Sequence, residues 1–197
     1  MKSNSFFFTV ISIILTANLT YSNDTISVEE KSWYIPDYAK LQFAGNIGFL
    51  SLGIGYELFS KHLQSDILYG YVPYSIGGAT IHTISQKNTF VLYNHKRNGY
   101  IISPIAGFST NFETGNNSFL ILPDKYPKGY YVTNAIHFTF FIGGKIHKTL
   151  TKQSKIKGFD FYVELGTVDT YLWYKIFSKE IKMKEISSFA IGINTFF

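Results

Sequence analysis

Three residues of the chain carry side chains that hydrolytic chemistry uses. His82 offers an imidazole base, Ser85 a hydroxyl nucleophile and Glu164 a carboxylate that could orient the imidazole. Nucleophilic catalysis requires the hydroxyl and the base within hydrogen-bond reach, with a third group behind the base. His82 and Ser85 are an odd number of residues apart, so they point to opposite faces of an undistorted strand. The spacing therefore disfavours a catalytic triad, which is kept only as an alternative.

The histidines and glycines do not follow the patterns of a metal site or a phosphate-binding loop. The histidines are scattered along the chain, at His62, His82, His95, His137 and His147. Even the last two are too far apart on one extended strand to ligate the same ion. The absence of cysteine excludes a disulfide scaffold and a cysteine-ligated zinc site. The glycines between Gly45 and Gly55 alternate along strands and do not form a phosphate loop. We expect no metal and no cofactor.

Ionisable residues occupy the polar side of segments whose other side is apolar. These residues are Lys40, Glu57, Asp66, His137, Lys145 and Glu164. Charged side chains are costly against lipid, so this polar side is expected to face the lumen of a barrel. A barrel of about eight strands has a lumen filled by side chains. We therefore expect these residues to satisfy one another through ion pairs and hydrogen bonds. A proton relay or a small-solute path would need a wider barrel.

Period-two alternation of polar and apolar residues predicts about eight strands. The predicted segments are 39–49, 52–58, 65–72, one between 79 and 93, 100–112, 131–146, one from 159 onward, and 187–197. In the first, we expect Leu41, Phe43, Ile47 and Phe49 to face outward. A bulge is expected near 86–88, and the proline of the fifth strand predicts a bulge or an irregular edge.

The connections between these strands carry turn residues, charges and aromatic side chains. Segment 94–99 closes with Asn98-Gly99, a strong hairpin signal. Segment 113–129 is rich in glycine, asparagine and proline, which predicts a long loop outside the cell. Tyr171, Trp173 and Tyr174 are expected in an aromatic girdle at the membrane interface.

The N-terminus predicts export. Lys2 precedes the apolar run Phe6–Leu15 and the more polar Thr20-Tyr21-Ser22, the pattern of a signal peptide. The apolar run is shorter than the ~20 residues of a spanning helix. We predict a signal peptide at 1–22, a periplasmic lead-in at 23–38 and a barrel at 39–197. The lead-in places Trp33, Tyr34 and Tyr38 where they could meet the membrane interface. The net charge of +5 comes without a nucleic-acid-binding motif, so no nucleic acid partner is expected.

The alternating segments and the terminal phenylalanine resemble the small outer-membrane β-barrel proteins of Gram-negative bacteria, of OmpA/OmpX-type size. The resemblance covers about Ala39 to Phe197 and implies an all-β, transmembrane, antiparallel up-and-down β-barrel of about eight strands. Gly192 and Phe197 match the signal by which the last strand is recognised by the barrel assembly machinery, whereas Thr195 stands where an aromatic residue is usual. The resemblance further implies secretion across the inner membrane, residence in the outer membrane, contact with its lipids and lipopolysaccharide, and a monomer.

The favoured function is a closed barrel with a polar-packed lumen and a structural or surface-interaction role, without enzymatic activity. Some barrels of similar size modify lipid A as acyltransferases or deacylases, and the deacylase uses a His-x-Ser pair with a glutamate. This chain has His82-Thr83-Ile84-Ser85 instead. A lipid A modifying enzyme that uses His82, Ser85 and Glu164 is therefore the alternative, and a small-solute pore is the third hypothesis.

Overall fold

The computed structural model describes residues 32–115, 118, 135–150, 155–177 and 182–197, except for the side chain of Tyr174. The chain divides into two units, Met1–Ile35 and Pro36–Phe197. In the first unit, the described residues form a turn in which the Ile35 N–H donates to the Ser32 carbonyl oxygen at 2.9 Å. The predicted signal peptide at 1–22 and the lead-in up to residue 31 lie outside the described residues.

Antiparallel strands build nearly all of the second unit. Its strands are β1 Tyr38–Ala44, β2 Leu50–Leu58, β3 Leu63–Val72, β4 Ile81–Val91, β5 His95–Arg97, β6 Tyr100–Thr114, β7 Ile136–Thr149, β8 Gly158–Val168 and β9 Ser188–Phe196. The described helices are α1 Tyr74–Gly77, α2 Asp169–Phe177 and α3 Met183–Ile186. None of these helices has the length and apolar character needed to cross a membrane.

The sheet closes on itself. Strands β1 to β4 pair in sequence order, as do β5 to β9; β1 also pairs with β9, and β4 pairs with β6. The short β5 follows β4 in the chain and pairs with the first residues of β6, beyond the part of β6 that pairs with β4. The result is a closed up-and-down barrel of eight strands, formed by β1–β4 and β6–β9. Closure gives every one of these strands two neighbours and removes the exposed edges of an open sheet. The predicted all-β barrel is confirmed.

The two ends of the barrel differ in their connections. At one end, which we call the loop end, are the connections 45–49, 73–80, 115–135 and 169–187. At the other, the turn end, are the connections 59–62, 92–99 and 150–157, the start of β1 and the end of β9. The described helices lie in two of the loop-end connections, α1 in 73–80 and α2 and α3 in 169–187.

Alternation along each strand separates a polar inside from an apolar outside. In β1, Tyr38, Lys40 and Gln42 are buried while Leu41 and Phe43 are exposed. The same alternation leaves apolar side chains exposed around the barrel, among them Leu52, Ile54, Ile67, Ile84, Phe90, Ile142, Phe161, Val163, Leu165, Phe189 and Ile193. The prediction that Leu41 and Phe43 face outward agrees with this burial.

The first strand ends earlier than predicted. Ala44 and Gly45 adopt φ values of 59° and 86°, in the left-handed region that ends an extended segment and that glycine tolerates best. The chain then turns back, and the Ala44 N–H donates to the Phe49 carbonyl oxygen at 2.9 Å. The expectation that Ile47 faces outward is wrong, because this turn breaks the alternation and Ile47 is only 4% exposed.

The bulge expected near 86–88 is absent, since β4 keeps an unbroken register with β3 and β6 across this segment. The irregularity lies opposite Pro104 instead. Residues 92–94 stand opposite Ser103 and Pro104, one residue more than regular pairing allows. The Leu92 N–H donates to the Pro104 carbonyl oxygen at 3.1 Å. Because proline has no N–H to return, the pairing is interrupted there.

The connections and termini bring further corrections. Asn98 and Gly99 have φ values of 50° and 77°, as a two-residue hairpin turn requires. The preceding His95–Arg97, expected in the turn, forms β5. Tyr171 and Trp173, expected in an aromatic girdle at the membrane interface, lie on α2 and not on a strand. Tyr38, expected at the membrane interface, begins β1 and is fully buried.

Candidate functional site

The lumen holds a set of buried charges, and we treat this interior as the candidate functional site. Among the described residues, the buried lysines and carboxylates are equal in number: Lys40, Lys87, Lys145, Asp66, Asp160 and Glu164. Burying an isolated charge is very costly, so each charge needs an opposite charge and hydrogen bonds. The strands supply both, because the inward side chains of all the strands meet in a narrow interior.

The first cluster joins β1 and β3. Lys40 Nζ lies 2.5 Å from Asp66 Oδ2, and the Tyr38 hydroxyl donates to Asp66 Oδ1 at 2.5 Å. Gly55 of β2 lies between Tyr38 and Asp66, and a Cβ at Gly55 would collide with both side chains. The glycine therefore makes room for the contact between the tyrosine and the carboxylate.

The second cluster centres on Lys87 of β4. Its Nζ donates to Glu164 Oε2 at 2.6 Å and to Gln42 Oε1 at 2.8 Å. The same Nζ lies 4.5 Å from the centroid of the Phe141 ring, within the range of a cation–π contact. Tyr162 donates its hydroxyl to Gln42 Oε1 at 3.2 Å. Four strands therefore meet at this one ammonium group and its neighbours.

Tyr162 connects the first two clusters. Lys40 Nζ lies 5.1 Å from the centroid of its ring and Lys87 Nζ lies 5.2 Å from it. Both ammonium groups therefore lie within cation–π distance of the same ring. Gly192 of β9 accommodates the ring, since a Cβ there would collide with it.

The third cluster surrounds Asp160 of β8. Lys145 Nζ lies 3.0 Å from Asp160 Oδ2 and His147 Nδ1 lies 2.6 Å from Asp160 Oδ1. Gln64 and Asn194 donate to Oδ2 at 3.2 Å and 3.4 Å. The carboxylate therefore takes hydrogen bonds from three other strands. Phe196 packs beside the cluster, with its ring centroid 5.4 Å from that of His147.

The ionisable residues predicted for the lumen are found in different surroundings. Lys40, Asp66, Lys145 and Glu164 belong to the clusters described above. His137 is 9% exposed, and its Nε2 lies 3.9 Å from Glu113 Oε1 near the loop end. Glu57 lies near the turn end and pairs with the exposed Lys61 at 3.3 Å.

Sequence reasoning left Lys87 and Asp160 out of the predicted charged set. The sequence of β4 does not reveal which way Lys87 points, since polar residues occur on both of its faces. Counting by two from the buried Thr83 and Ser85 would have placed Lys87 inside.

The three residues of the catalytic alternative are not assembled. Ser85 is buried, and among the described residues its hydroxyl oxygen has no hydrogen-bond partner. His82 lies on the opposite face of β4, where its Nδ1 is 2.5 Å from the Tyr69 hydroxyl. Glu164 is engaged with Lys87. The geometry that nucleophilic catalysis needs is therefore not present among these three side chains.

The space inside the barrel is small. A cavity of about 20 Å³ borders Lys87, Glu164, Gln42 and Ile47, room for about one water molecule. A shallower depression of about 420 Å³ lies at the loop end, lined mostly by the 44–49 turn and by Val72, Ile76 and Ile81. In the part of the chain that the structure describes, no group of three histidine or acidic residues is placed to hold a metal ion.

Comparison of the chain with protein-family models, with curated proteins and with solved structures found no match. The geometry of the barrel and its lumen therefore carries the functional argument.

Proposed function

We propose that this chain is an outer-membrane β-barrel with a closed lumen, and that its role is structural or in surface interaction. The observation that carries the proposal is an apolar outer wall around an interior in which the buried lysines of the described residues are paired with carboxylates. A soluble barrel would leave its outer wall in water, where so many exposed leucine, isoleucine and phenylalanine side chains are unfavourable.

The connections support the same placement. Bacterial outer-membrane barrels have short periplasmic turns and longer extracellular loops. Here the connections 59–62, 92–99 and 150–157 lie at one end, with the end of β9, and the two longest connections, 115–135 and 169–187, lie at the other. We place the loop end outside the cell, where α1 and α2 present exposed aromatic residues such as Tyr74 and Trp173 to lipopolysaccharide or to a surface partner.

Entry into the membrane would use the last strand. β9 pairs with β1 and β8, so its docking completes the closure. Gly192 and Phe197 belong to the segment that we propose the barrel assembly machinery recognises. Secretion across the inner membrane and insertion from the periplasm complete the proposed route.

Electrical recording in planar bilayers tests whether the lumen is closed. The refolded full chain should give no discrete conductance steps, because ion pairs and aromatic rings occupy the lumen and the cavity beside Lys87 holds about one water. A porin in the same bilayer is the positive control. Reproducible steps from the chain, proportional to salt concentration, would refute the closed barrel and favour the small-solute pore.

A further inference from the structure

At the turn end, hydrogen bonds join three inward side chains in a series that finishes at an exposed hydroxyl group. His147 Nδ1 lies 2.6 Å from Asp160 Oδ1, and His147 Nε2 lies 3.1 Å from Thr149 Oγ1. His147 and Thr149 are two residues apart on β7, so they share its inward face. Asp160 of β8 is directly opposite His147. We call Thr149, His147 and Asp160 the turn-end triad.

The carboxylate of Asp160 orients the imidazole of His147. Its Oδ2 accepts hydrogen bonds from Lys145, Gln64 and Asn194, which hold the carboxylate with Oδ1 toward the imidazole. An ionised carboxylate only accepts hydrogen bonds, so the proton of the neutral imidazole lies on Nδ1. Nε2 then carries the lone pair and accepts the hydrogen bond of the threonine hydroxyl. This is the arrangement of a base that can take a proton from a nucleophile.

Two neighbours fix the position of the imidazole ring and leave room for it. The ring of Phe196 packs edge-on, with its centroid 5.4 Å from that of His147 and an angle of 78° between the two planes. Gly158 is directly opposite Thr149. A Cβ at Gly158 would lie 3.0 Å from His147 Cε1 and 3.3 Å from Nε2. The glycine therefore keeps clear the edge of the ring that carries Nε2.

The hydroxyl end of the triad is open to water and the carboxylate end is dry. Asp160 is fully buried, the side chain of His147 is 22% exposed, and Thr149 is exposed. An accessible nucleophile with a buried carboxylate behind its base is the order that hydroxyl nucleophiles use. Because the triad lies on the inward face of the wall, a substrate reaches it from the water at the turn end and not through the apolar outer wall.

We propose that the turn-end triad is a catalytic site that hydrolyses small, water-soluble carboxylic esters. An ester is the favoured carbonyl substrate for one hydroxyl and one base, because its alcohol is a better leaving group than an amine. The site adds an activity to the proposed structural role and departs from the expectation of a chain without enzymatic activity. It depends on the lumen geometry and not on where the barrel resides.

The reaction has two balanced halves. Thr149 Oγ bonds to the ester carbonyl carbon and gives its proton to His147 Nε2, which passes it to the alcohol oxygen as the bond between that oxygen and the carbonyl carbon breaks. Water then attacks the acyl-threonine and gives a proton to Nε2. The bond between Oγ and the acyl carbon breaks, and Oγ takes that proton back. Ester and water thus become acid and alcohol, and Asp160 acts only as a positioning residue.

Hydrolysis of p-nitrophenyl butyrate by the refolded full chain tests the site. His147→Gln should lower kcat/KM by about a hundredfold, the usual size of a general-base contribution. Thr149→Val, which lacks the hydroxyl, should fall to the background rate, whereas Thr149→Ser should retain activity because it keeps a nucleophilic oxygen. The matched controls are His62→Gln at the same end and Thr114→Val at the loop end. Both side chains are exposed and outside the triad, so both variants should match the unchanged chain.

A fluorophosphonate probe gives a readout that does not depend on turnover. Its phosphorus should bond to Thr149 Oγ with loss of fluoride, while the hydroxyl proton passes to His147 Nε2, and peptide mass spectrometry should find the label on Thr149. His147→Gln should abolish this labelling, because the hydroxyl then lacks its base.

Asp160→Asn tests the positioning role. Among folded molecules it should lower kcat with little change in KM, because an amide does not hold the imidazole in the same tautomer. The folded fraction, measured from the gel mobility of heated and unheated samples, normalises the rate of every variant. A merely structural role for Asp160 would change the folded fraction and leave the kcat of the folded molecules unaltered.

Three results would count against the proposal. Background hydrolysis by the folded, unchanged chain, or a label on a residue other than Thr149, would overturn the site. Faster hydrolysis of p-nitrophenyl palmitate in micelles than of the butyrate would overturn the choice of a water-soluble ester. Membrane placement is judged separately, by the presence of the chain in the outer-membrane fraction, so either proposal can fail without the other.

Discussion

At the scale of single residues, Lys87 shows what a buried charge needs inside this barrel. It has a carboxylate at 2.6 Å, an amide oxygen at 2.8 Å and an aromatic ring at 4.5 Å. Removing one partner of a buried pair leaves the other charge uncompensated, whereas replacing both partners is far less harmful. The lumen charges are therefore expected to be strongly coupled in pairs.

Replacing Lys87 should test this coupling. We expect Lys87→Met to lower the free energy of unfolding by about 3–5 kcal/mol, because it leaves Glu164 buried without its cation. The double variant with Glu164→Gln should recover much of that loss, since the lone charge is then gone. Urea titration of the barrel in lipid vesicles measures the free energy of unfolding of the unchanged chain, of Lys87→Met and of the double variant.

The matched control for this test is the ion pair between Lys61 and Glu57, in which Lys61 is 76% exposed. Lys61→Met should lower the free energy of unfolding by less than about 1 kcal/mol, because exposed ion pairs contribute little to stability. If Lys87→Met and Lys61→Met have equal effects, the buried network does not stabilise the barrel.

At the scale of elements, two adjacent glycines of β7 face opposite sides of the wall. A Cβ on Gly143 would lie 3.0 Å from Glu164 Cα and would collide with the Val163 carbonyl oxygen. A Cβ on Gly144 would have its nearest neighbour, the Ser103 carbonyl oxygen, at 3.9 Å. Inward glycines such as Gly143 permit the strong coiling that a narrow barrel demands.

Replacing each of these two glycines with alanine tests this difference between the inside and the outside of the wall. Gly143→Ala should lower the free energy of unfolding by about 1–3 kcal/mol, because β8 must move away to admit the methyl group. Gly144→Ala should change it by less than about 1 kcal/mol, because its site is open. Urea titration in vesicles measures the free energy of unfolding of both variants, and the refolding yield shows how well each of them folds. Equal effects at the two positions would contradict the idea that strand coiling requires glycine only on the inside.

At the scale of the whole molecule, closure of the barrel gives it two distinct ends. Ser75 of α1 lies at the loop end and Ser60 lies in the 59–62 turn at the opposite end, and both are exposed. If the barrel spans the outer membrane as proposed, these two residues lie on opposite sides of it. The distribution of long connections places Ser75 outside the cell.

Labelling of single cysteines tests this orientation. In intact cells, a membrane-impermeant maleimide should modify Ser75→Cys and spare Ser60→Cys, because the membrane shields the turn end. After the cells are permeabilised, both should react. Labelling of Ser60→Cys alone in intact cells would show the reverse orientation, and equal labelling of the two would argue against a membrane-spanning barrel.

The sequence by itself determined the features that depend on local alternation. A strand places successive side chains on opposite faces whatever its neighbours are, so Lys40, Asp66 and Glu164 could be placed inside and Leu41 and Phe43 outside. The Asn98-Gly99 turn could also be predicted from the sequence, because these two residue types favour the positive φ values that the turn needs.

Only the tertiary structure decided which inward residues meet. Lys87 and Glu164 are 77 residues apart and Gln64 and Asp160 are 96 apart, and their contacts depend on the register of every strand between them. Register and closure are long-range properties, so one strand's pattern cannot specify them. For the same reason, Ser65, Asn88 and Thr110 become neighbours only when three strands pair side by side.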